Sequence, residues 1–479
     1  MTRLTPYPVQ EADITGLLDG GVVGLLNMEP GYGKTLVAIE AAVRKGTKVN
    51  LVIAPQSTHQ SAWGMTVKSQ TGQDVRIIGN KNKAQQGAFA DFLAGTPGWY
   101  VTTPQWFTRQ DVEGWAPDLA IVDEVHMLGN GEGKGAKKLI QLGQQTTYKM
   151  ALSGTPARNK FERMWAVMRF LWPDNAEIAR ENYYAWMAEH MLYTRVFIGV
   201  NKTTRQPRYA KNYIRERRQG NLVRSAPLVL QHFRRERCCE FHPDGFLSQD
   251  EPQVLTRTLE LTTKQKKSIK ELEEQYLTWL DDNPLVVEIP LTLQQRVRQM
   301  CLAVPEFNEA GEVTFAADME SPVADAIEED LEVLSDDEPV VIYCESQRFA
   351  RALTERLVTK GYSAFEYSGA TTKTRTENLK NFGTPDGHRI VVGVLSAIGT
   401  GTDGMQRVAR TEMWAERSVD QVVNIQAEGR LDRTGARGQV QRTYYEDELG
   451  YAAGRFSKQV EAALQLRKSL VVDTSREDK

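Results

Sequence analysis

The sequence is poor in cysteine and has no long apolar run. Its only four cysteines are Cys238, Cys239, Cys301 and Cys344. They form no disulfide framework, and a chain of this size does not need one. Apolar runs such as Leu51–Ala54 are far shorter than the ~18 residues that cross a bilayer, and residues 1–10 lack the apolar core of a signal peptide. We therefore expect a reduced, cytoplasmic protein.

The sequence also lacks an excess of charge of one sign. Lys and Arg number 59 and Asp and Glu number 62, so the formal net charge is -3. No global basic field indicates a nucleic-acid partner, and any such partner must be held by local patches. The hydrophobic share of 41% and charged share of 25% exclude a disordered chain, a collagen-like repeat and a disulfide miniprotein. The 479 residues are enough for two or three domains.

Short apolar runs predict strands in two separate regions. In the first region the predicted strands are Val22–Leu26, Val49–Ala54, Trp99–Thr102, Leu119–Val122 and Lys149–Leu152. In the second they are Val340–Cys344, Ala364–Tyr367 and Arg389–Leu395, with helices predicted over Phe349–Thr359 and Thr374–Phe382. Several runs are apolar on consecutive residues, as in strands that are buried on both faces of a parallel sheet. The pattern predicts two α/β domains.

The composition changes twice between these regions. Residues 195–237 hold twelve Lys and Arg against only Glu216 and Glu236, whereas residues 306–338 hold thirteen acids and no Lys or Arg. Either run could be a solvated face. The basic run also contains aromatic residues, which could stack on bases or fill a small core. The expected segments are an α/β domain over 1–175, a helical basic insertion over 176–305, an acidic linker over 306–320 and a second α/β domain over 321–479.

A glycine-rich loop is the strongest chemical signal. The residues MEPGYGKT at 28–35 follow an apolar run and precede a helical stretch. Glycines such as Gly31 and Gly33 let backbone N–H groups surround phosphate oxygens at a helix N-terminus. Lys34 supplies a point charge for the β- and γ-phosphates, and the Thr35 hydroxyl is a Mg²⁺ ligand. The loop departs from the pattern GxxxxGK[ST] only in its first residue, which is Met.

Two carboxylates follow a predicted strand in the run LAIVDEVH at 119–126. Carboxylates at the carboxyl end of a buried strand lie beside the phosphate loop of the same sheet. Asp123 would hold Mg²⁺, usually through water, because Mg²⁺ keeps part of its hydration shell. Glu124 would orient and deprotonate the attacking water. Two such carboxylates are weak evidence for a nucleotide site on their own, and strong evidence together with Lys34.

The order of the motifs resembles the superfamily-two helicases. DEVH at 123–126 is followed about thirty residues later by SGTP at 153–156. The continuation, GTPARN at 154–159 and then FLWP at 170–173, resembles the Swi/Snf-type DNA translocases. The resemblance covers nearly the whole chain.

Two motifs of the second domain extend the resemblance. LSAIGTGTD at 395–403 matches the loop that contacts both nucleic acid and nucleotide in the family, and QAEGRLDRTG at 426–435 matches its Gln-x-x-Gly-Arg-x-x-Arg motif. On a helix, Arg430 and Arg433 would share one face, and both guanidinium groups could reach one triphosphate. The alternative is a solvent-exposed basic helix.

The resemblance implies two RecA-like parallel-sheet domains that bind ATP and Mg²⁺ between them. The implied nucleotide-binding residues are Gln10, which would recognise adenine, and Gly31, Gly33, Lys34, Thr35, Gly401 and Asp403. Thr35 and Asp123 would hold the metal. The implied catalytic residues are Lys34, Glu124, Arg430 and Arg433. The residues that would couple hydrolysis to movement are Ser153, Thr155 and Gln426.

The resemblance also implies a nucleic-acid partner, with DNA, and duplex DNA, favoured. The expected contacts are Pro55, Gln56, Arg215, Arg217, Arg218 and Ser396. The function implied is ATP-dependent translocation on DNA, which remodels or unwinds it. So small a motor would suit a virus or a mobile element.

Two other functions stay open at this point. One is a strand-separating RNA or DNA helicase of the same superfamily, because the motifs do not separate translocation from unwinding. The other is a nucleotide-switch scaffold without turnover, against which the intact Lys34, Glu124 and Arg430 argue. Rates of ATP hydrolysis with duplex DNA, single-stranded DNA and RNA would distinguish these functions.

Overall fold

In the computed structural model the described residues form two compact units, one within residues 1–244 and the other within residues 245–451. The structure describes residues 3–28, 31–129, 131–157, 161–175, 182–200, 206–216, 226–232, 251–275, 277–280, 283–286, 290–372, 374–399, 404–433 and 436–451. Each unit contains its own parallel sheet.

The first unit is built around a sheet of short, mostly buried strands. The described strands of this unit are β1 (Val23–Met28), β2 (Val49–Ile53), β3 (Val75–Ile77), β4 (Gly98–Thr102), β5 (Leu119–Asp123), β6 (Tyr148–Leu152), β7 (Met191–Val200), β8 (Pro207–Glu216) and β9 (Val229–His232). Seven of these described strands form a sheet in the order β3-β4-β2-β5-β6-β1-β9, and every pairing in it is parallel. Both β2 and β4 are buried along their whole length, as their continuous apolar runs predict.

Helices cover the faces of this sheet. The α-helices described in the first unit are α1 (Pro8–Asp19), α2 (Lys34–Lys45), α3 (Met65–Thr71), α4 (Lys83–Leu93), α5 (Pro104–Phe107), α6 (Lys134–Gln145), α7 (Met164–Leu171) and α8 (Tyr183–His190). A π-helix, His59–Gly64, leads into α3, and 3₁₀ turns occupy Val125–Met127 and Phe161–Arg163. Helix α6 buries Ala136, Leu139 and Leu142, which recur at helical spacing and face the core.

The second unit repeats this architecture. Its described strands are β10 (Gln253–Leu259), β11 (Leu277–Leu280), β12 (Asn283–Val286), β13 (Glu306–Phe307), β14 (Val313–Thr314), β15 (Val340–Cys344), β16 (Ala364–Tyr367), β17 (Ile390–Val394), β18 (Thr411–Trp414) and β19 (Gln441–Asp447). Six of them form a parallel sheet in the order β10-β19-β18-β15-β17-β16. The prediction of two parallel-sheet α/β domains is therefore confirmed.

Helices of the second unit also lie beside buried strands. Those described are α9 (Thr263–Gln275), α10 (Pro290–Leu302), α11 (Pro322–Val333), α12 (Gln347–Thr359), α13 (Arg375–Lys380), α14 (Leu395–Ile398) and α15 (Gln421–Glu428). Helices α11 and α12 bury Ile327, Leu331, Phe349 and Leu353 in one core with β15 and β17. In the ranges that the structure describes, no helix combines the length and the apolar character needed to cross a membrane.

The segment predicted as a helical basic insertion, 176–305, contains strands as well as helices. Strands β7 and β8 form an antiparallel pair, β9 joins β1 in the first sheet, and β10 joins β19 in the second. The expectation of a helical segment is corrected on this point. The segment boundaries given above stay predictions.

The segment predicted as an acidic linker, 306–320, packs into the second unit. Strand β13 pairs with β14. Val313, Phe315 and Met319 are buried, and the last two belong to the core beneath α11. In the structure this stretch is therefore packed rather than extended.

Part of the acidic run is neutralised by cations of neighbouring elements. Glu328 of α11 pairs with Arg356 at 2.7 Å and with Lys360 at 2.5 Å. Burial raises the pKa of Glu328, but hydrogen bonds from these two cations outweigh it, so the net pKa lies below the usual value. Arg257 of β10 pairs with Glu329 at 2.7 Å. These acids of α11 therefore fasten the helix to the sheet and to α12.

A buried ion pair joins two strands of the second sheet. Glu412 of β18 and Arg442 of β19 are direct neighbours in the sheet, and their side chains are 0% and 4% exposed. The Arg442 Nε donates to Glu412 Oε2 at 2.6 Å, and its Nη2 donates to the backbone oxygen of Glu428 at 3.2 Å. The Tyr444 hydroxyl donates to Glu428 Oε1 at 3.0 Å. These bonds fasten the last residue of α15 to the sheet.

We expect Arg442→Met to lower the free energy of unfolding of the second unit by about 3–5 kcal/mol, because Glu412 would stay buried without its partner. Urea titrations measure this quantity. A double variant that also carries Glu412→Met should be closer to wild type, since no unpaired charge would remain. The matched control is Lys270→Met, which breaks an exposed pair with Glu274 at 3.9 Å and should cost under about 1 kcal/mol. Equal stability of Arg442→Met and the control would contradict this expectation.

Candidate nucleotide site

The described part of the loop between β1 and α2, residues 31–33, has backbone angles that suit a phosphate-binding loop. Gly31 and Gly33 have φ values of 92° and 76°, in the left-handed region that glycine adopts without strain. A Cβ at Gly33 would lie 2.4 Å from Gln10 Nε2, so a side chain at this position would displace the Gln10 amide. Lys34 and Thr35 form the first turn of α2, where backbone N–H groups favour an anion.

The Lys34 side chain reaches back across this loop to the end of β1. Its Nζ donates to the backbone oxygen of Met28, the last residue of β1, at 2.8 Å. A phosphate oxygen is a stronger acceptor than a neutral carbonyl. The ammonium group is thus held beside the loop, where a phosphate could accept its hydrogen bonds.

Gln10 connects α1 to the same loop. Its Nε2 donates to the backbone oxygen of Tyr32 at 2.9 Å, and its Oε1 accepts the Tyr7 N–H at 2.9 Å. The side chain is buried. The structure therefore places Gln10 on the phosphate loop, and its recognition of adenine stays a prediction.

Asp123 ends β5, and both of its carboxylate oxygens are hydrogen-bonded. Oδ1 accepts the backbone N–H of Glu124 at 3.0 Å, and Oδ2 accepts the indole N–H of Trp63 at 3.1 Å. Burial, together with the charge of Glu124, raises the pKa of Asp123 to about 6, although the Trp63 N–H and the charge of Lys34 oppose the rise. A carboxylate in such surroundings favours a neighbouring cation.

Glu124 is contacted by Ser153, which follows β6, and by His126, two residues further along the chain. It has a left-handed backbone with φ 49° and ψ 51°, a strained conformation that is frequent at functional sites. Its Oε2 accepts the Ser153 hydroxyl at 3.1 Å and lies 3.2 Å from His126 Nδ1. The Ser153 Oγ also accepts the backbone N–H of Thr155 at 3.1 Å. The structure thus joins Ser153 and Thr155, which were predicted to couple hydrolysis to movement, to the predicted base.

Arg430 and Arg433, the predicted catalytic arginines, lie in a turn and not on a helix. Helix α15 ends at Glu428, before Gly429, so the prediction that Arg430 and Arg433 share a helical face is wrong. The Nη2 of Arg430 donates to the backbone oxygen of Gly399 at 2.6 Å. This bond brings the motifs at 395–403 and 426–435 together. Gln426 lies in the last turn of α15.

Sequence reasoning missed the residues that support these side chains. The role of Trp63 was not predicted, and neither was the Glu412–Arg442 pair beneath the arginine turn. Tyr343 also supports the end of α15 just before this turn, because its hydroxyl donates to the backbone oxygen of Ala427 at 3.2 Å. A charged residue inside an apolar strand, such as Glu412, was the available signal.

The predicted nucleic-acid contacts are only partly described. Pro55 is half-buried and Gln56 is exposed in the turn after β2, and Ser396 is exposed on α14. Arg215 lies on β8. The predicted residues outside the described ranges are Arg217, Arg218, Gly401 and Asp403. The structure therefore leaves the nucleic-acid contacts as predictions.

The oxygen donors of the first unit fit Mg²⁺ with a nucleotide. The Thr35 hydroxyl and the Asp123 carboxylate are hard oxygen ligands, which Mg²⁺ prefers. Within the described ranges, no group of three or more His, Cys, Asp and Glu could hold a metal ion. Mg²⁺ bound together with a nucleotide needs only one or two protein ligands, because water and phosphate oxygens complete its shell.

Part of the first unit matches a known family model. A family model described as SNF2-related domain matches residues 17–213. This range contains Lys34, Asp123, Glu124 and Ser153, which meet at the site described above. It also contains all of β7 and most of β8.

Curated proteins show the same likeness over part of their length. The ISWI chromatin-remodeling complex ATPase CHR17 of Arabidopsis thaliana is 26% identical over 167 residues, which are 33% of this chain and 15% of that protein. The ISWI chromatin-remodeling complex ATPase ISW1 of Saccharomyces cerevisiae is 25% identical over 185 residues, 36% of this chain and 16% of that protein. The chain therefore matches only a small part of the length of these relatives.

A solved structure is similar over the whole chain at low identity. It is the Sulfolobus solfataricus SWI2/SNF2 ATPase core in complex with dsDNA, with a TM-score of 0.39 and 16% identity. The similarity covers 99% of this chain and 100% of that chain.

Proposed function

We propose that this chain, whose residues 17–213 match the SNF2-related domain model, is a DNA-dependent ATPase that uses ATP hydrolysis to move along duplex DNA. The observation that carries the proposal is the meeting of Lys34, Asp123 and Glu124 at one end of the first sheet. Lys34 Nζ is bonded to the last residue of β1, and Asp123, directly followed by Glu124, ends β5 of the same parallel sheet. The chromatin-remodeling ATPases among the relatives support ATP as the substrate and DNA as the partner.

The phosphate loop and Asp123 would bind MgATP. Backbone N–H groups at the start of α2 and the Lys34 ammonium would take the phosphates, as the glycine φ values and the Lys34 position support. Thr35 and Asp123 would hold Mg²⁺, which when bound neutralises charge on the phosphate oxygens. Gln10 would fix the loop and present the rest of its amide to adenine.

Glu124 would act as the general base. Its carboxylate would orient the attacking water and take a proton from it. The Ser153 hydroxyl leaves Glu124 Oε1 available while it holds Oε2. Ser153 and Thr155 would couple a change around Glu124 to the loop that follows β6, and Gln426 would do the same for the arginine turn.

Arg430 and Arg433 would stabilise the charge that develops on the transferring phosphoryl group. A planar guanidinium pairs with two phosphate oxygens at once. The bond from Arg430 to Gly399 supports this role, because it holds the arginine side chain beside the motif that begins at Leu395. Gly401 and Asp403, which lie outside the described residues, would add contacts to the nucleotide.

The first test is the choice of polymer. ATP hydrolysis should be slow alone and should be stimulated more by duplex DNA than by single-stranded DNA or RNA. Lys34→Ala, purified in the same way, measures any contaminating ATPase. Stimulation by RNA alone would favour the strand-separating helicase, and hydrolysis at one rate with every polymer would contradict the proposal.

The second test concerns the basic stretch. Replacing Arg215, Arg217 and Arg218 together with Gln should weaken duplex binding and flatten its salt dependence, because each phosphate that the protein no longer neutralises reduces the slope of log affinity by about 0.9. The matched control replaces three exposed lysines, Lys83, Lys267 and Lys270, with Gln, which removes the same charge. Equal slopes for both triple variants would show that the arginines form only a solvated face.

A further inference from the structure

A buried tryptophan donates a hydrogen bond to Asp123, the carboxylate that would hold Mg²⁺ in the proposed function. Trp63 is 0% exposed, and its Nε1 is the donor to Asp123 Oδ2 at 3.1 Å, although 60 residues separate the two in sequence. The other oxygen, Oδ1, takes the backbone N–H of Glu124. Each oxygen therefore has one N–H bond, and the two bonds together fix the rotation of the carboxylate.

The local backbone and a histidine contact set the position of Trp63. Trp63 lies in the π-helix His59–Gly64. Such helices are rare in proteins, and those that occur are often found at functional sites. A ring nitrogen of His59, Nε2, lies 2.9 Å from the backbone oxygen of Ala54 and anchors the turn beside the end of β2. Strand β2 pairs with β5, which ends at Asp123. The acceptor thus ends strand β5, and the donor lies in the turn that follows the neighbouring strand β2.

We propose that Trp63 is a positioning residue for Asp123, whose N–H holds the carboxylate with its remaining lone pairs directed to Mg²⁺. The inference rests on the proposed function. A carboxylate oxygen has two acceptor positions, so one N–H bond on each leaves the second position for the metal or its water. The indole is a neutral donor, so it orients the carboxylate without competing with Mg²⁺ for its charge. Hydrogen bonds of this kind set the orientation of metal ligands, and their loss typically weakens metal binding by about 10–100-fold.

The chain offers a matched control for the packing role of a large ring. Trp186 lies in the first unit and is 1% exposed, and among the described residues its buried Nε1 has no hydrogen-bond partner. Trp→Phe at 63 and at 186 removes the same atoms from a fully buried ring of the first unit. Only the change at 63 removes a bond to Asp123.

The experiment is a Mg²⁺ titration of the binding of a fluorescent, non-hydrolysable ATP analogue to the full chain. Trp63→Phe should raise the Mg²⁺ concentration for half-maximal tight binding by about 10–100-fold and leave the weak binding of the metal-free analogue unchanged. Trp186→Phe should follow wild type. Equal Mg²⁺ requirements of the two variants would overturn the proposal.

A second variant separates the N–H from the shape of the ring. Benzothienylalanine at position 63 replaces the N–H by sulfur and keeps the two-ring shape. It should shift the Mg²⁺ requirement as Trp63→Phe does, and a wild-type requirement would overturn the proposal. The wild-type titration reports on the proposed function by itself, because binding without any Mg²⁺ dependence would contradict that function whatever the variants show.

Discussion

Glu124→Gln is expected to lower ATP hydrolysis by about 10²–10⁴ while ATP binding is retained, because an amide keeps the size of the side chain and cannot take the proton of the attacking water. Single-turnover hydrolysis at saturating ATP and duplex DNA measures the rate, and equilibrium binding of ATP measures the affinity. The contact with Ser153 survives in this variant, since an amide oxygen also accepts the hydroxyl that Glu124 Oε2 accepts. The loss is therefore chemical and not structural.

The control for this variant is Glu113→Gln. Glu113 is an exposed acid of the same unit, and its replacement should leave the rate at the wild-type value. Ser153→Ala should fall between the two, because it removes one of the contacts that hold Glu124. Hydrolysis by Glu124→Gln within a few-fold of wild type would show that another group is the base.

Arg430→Ala and Arg433→Ala are expected to lower turnover by roughly 10³–10⁵, the range seen where arginines stabilise the charge of phosphoryl transfer in other enzymes. The affinity for ATP should change far less, because the arginines act mainly on charge that develops in the transition state. Lys at either position should restore little, since a point charge does not reproduce the planar fork of the guanidinium. Single-turnover rates and ATP affinities of all four variants measure these effects.

Arg437→Ala is the matched control for the arginine variants. Arg437 lies a few residues further along, is exposed, and donates to the backbone oxygen of Val408 at 2.8 Å. Its loss should leave turnover near wild type. Near-normal rates in both Arg430→Ala and Arg433→Ala would show that the motif at 426–435 does not act in hydrolysis.

The sheets were predictable because their strands are continuous apolar runs. Val340–Cys344 and Ala364–Tyr367 are strands with the predicted bounds, and β5 differs from its prediction only by the added Asp123. A strand buried on both faces needs apolar residues throughout, and few other structures have that pattern. The loop and the carboxylates were predictable for a related reason, since phosphate chemistry demands particular residues at a fixed spacing.

The contacts between distant residues were not predictable. The bond between Trp63 and Asp123 depends on the pairing of β2 with β5, and the Glu412–Arg442 pair depends on the register of β18 with β19. Neither partner shows its role by local pattern. The antiparallel pair of β7 and β8 was not predicted. Its cations and aromatic residues are as typical of a solvated face as of a strand. The arginine turn was misplaced because Gly429, a poor helix former, ends α15 earlier than the motif suggests.

The measurement that tests the central claim most directly is displacement of a third strand from a DNA triplex. The full chain is loaded on a duplex track that leads into the triplex, and release of the third strand is followed with and without ATP. We expect release that requires ATP and the duplex track, and no release by Glu124→Gln under the same conditions. Hydrolysis of ATP that is stimulated by the duplex but releases no third strand would contradict movement along DNA.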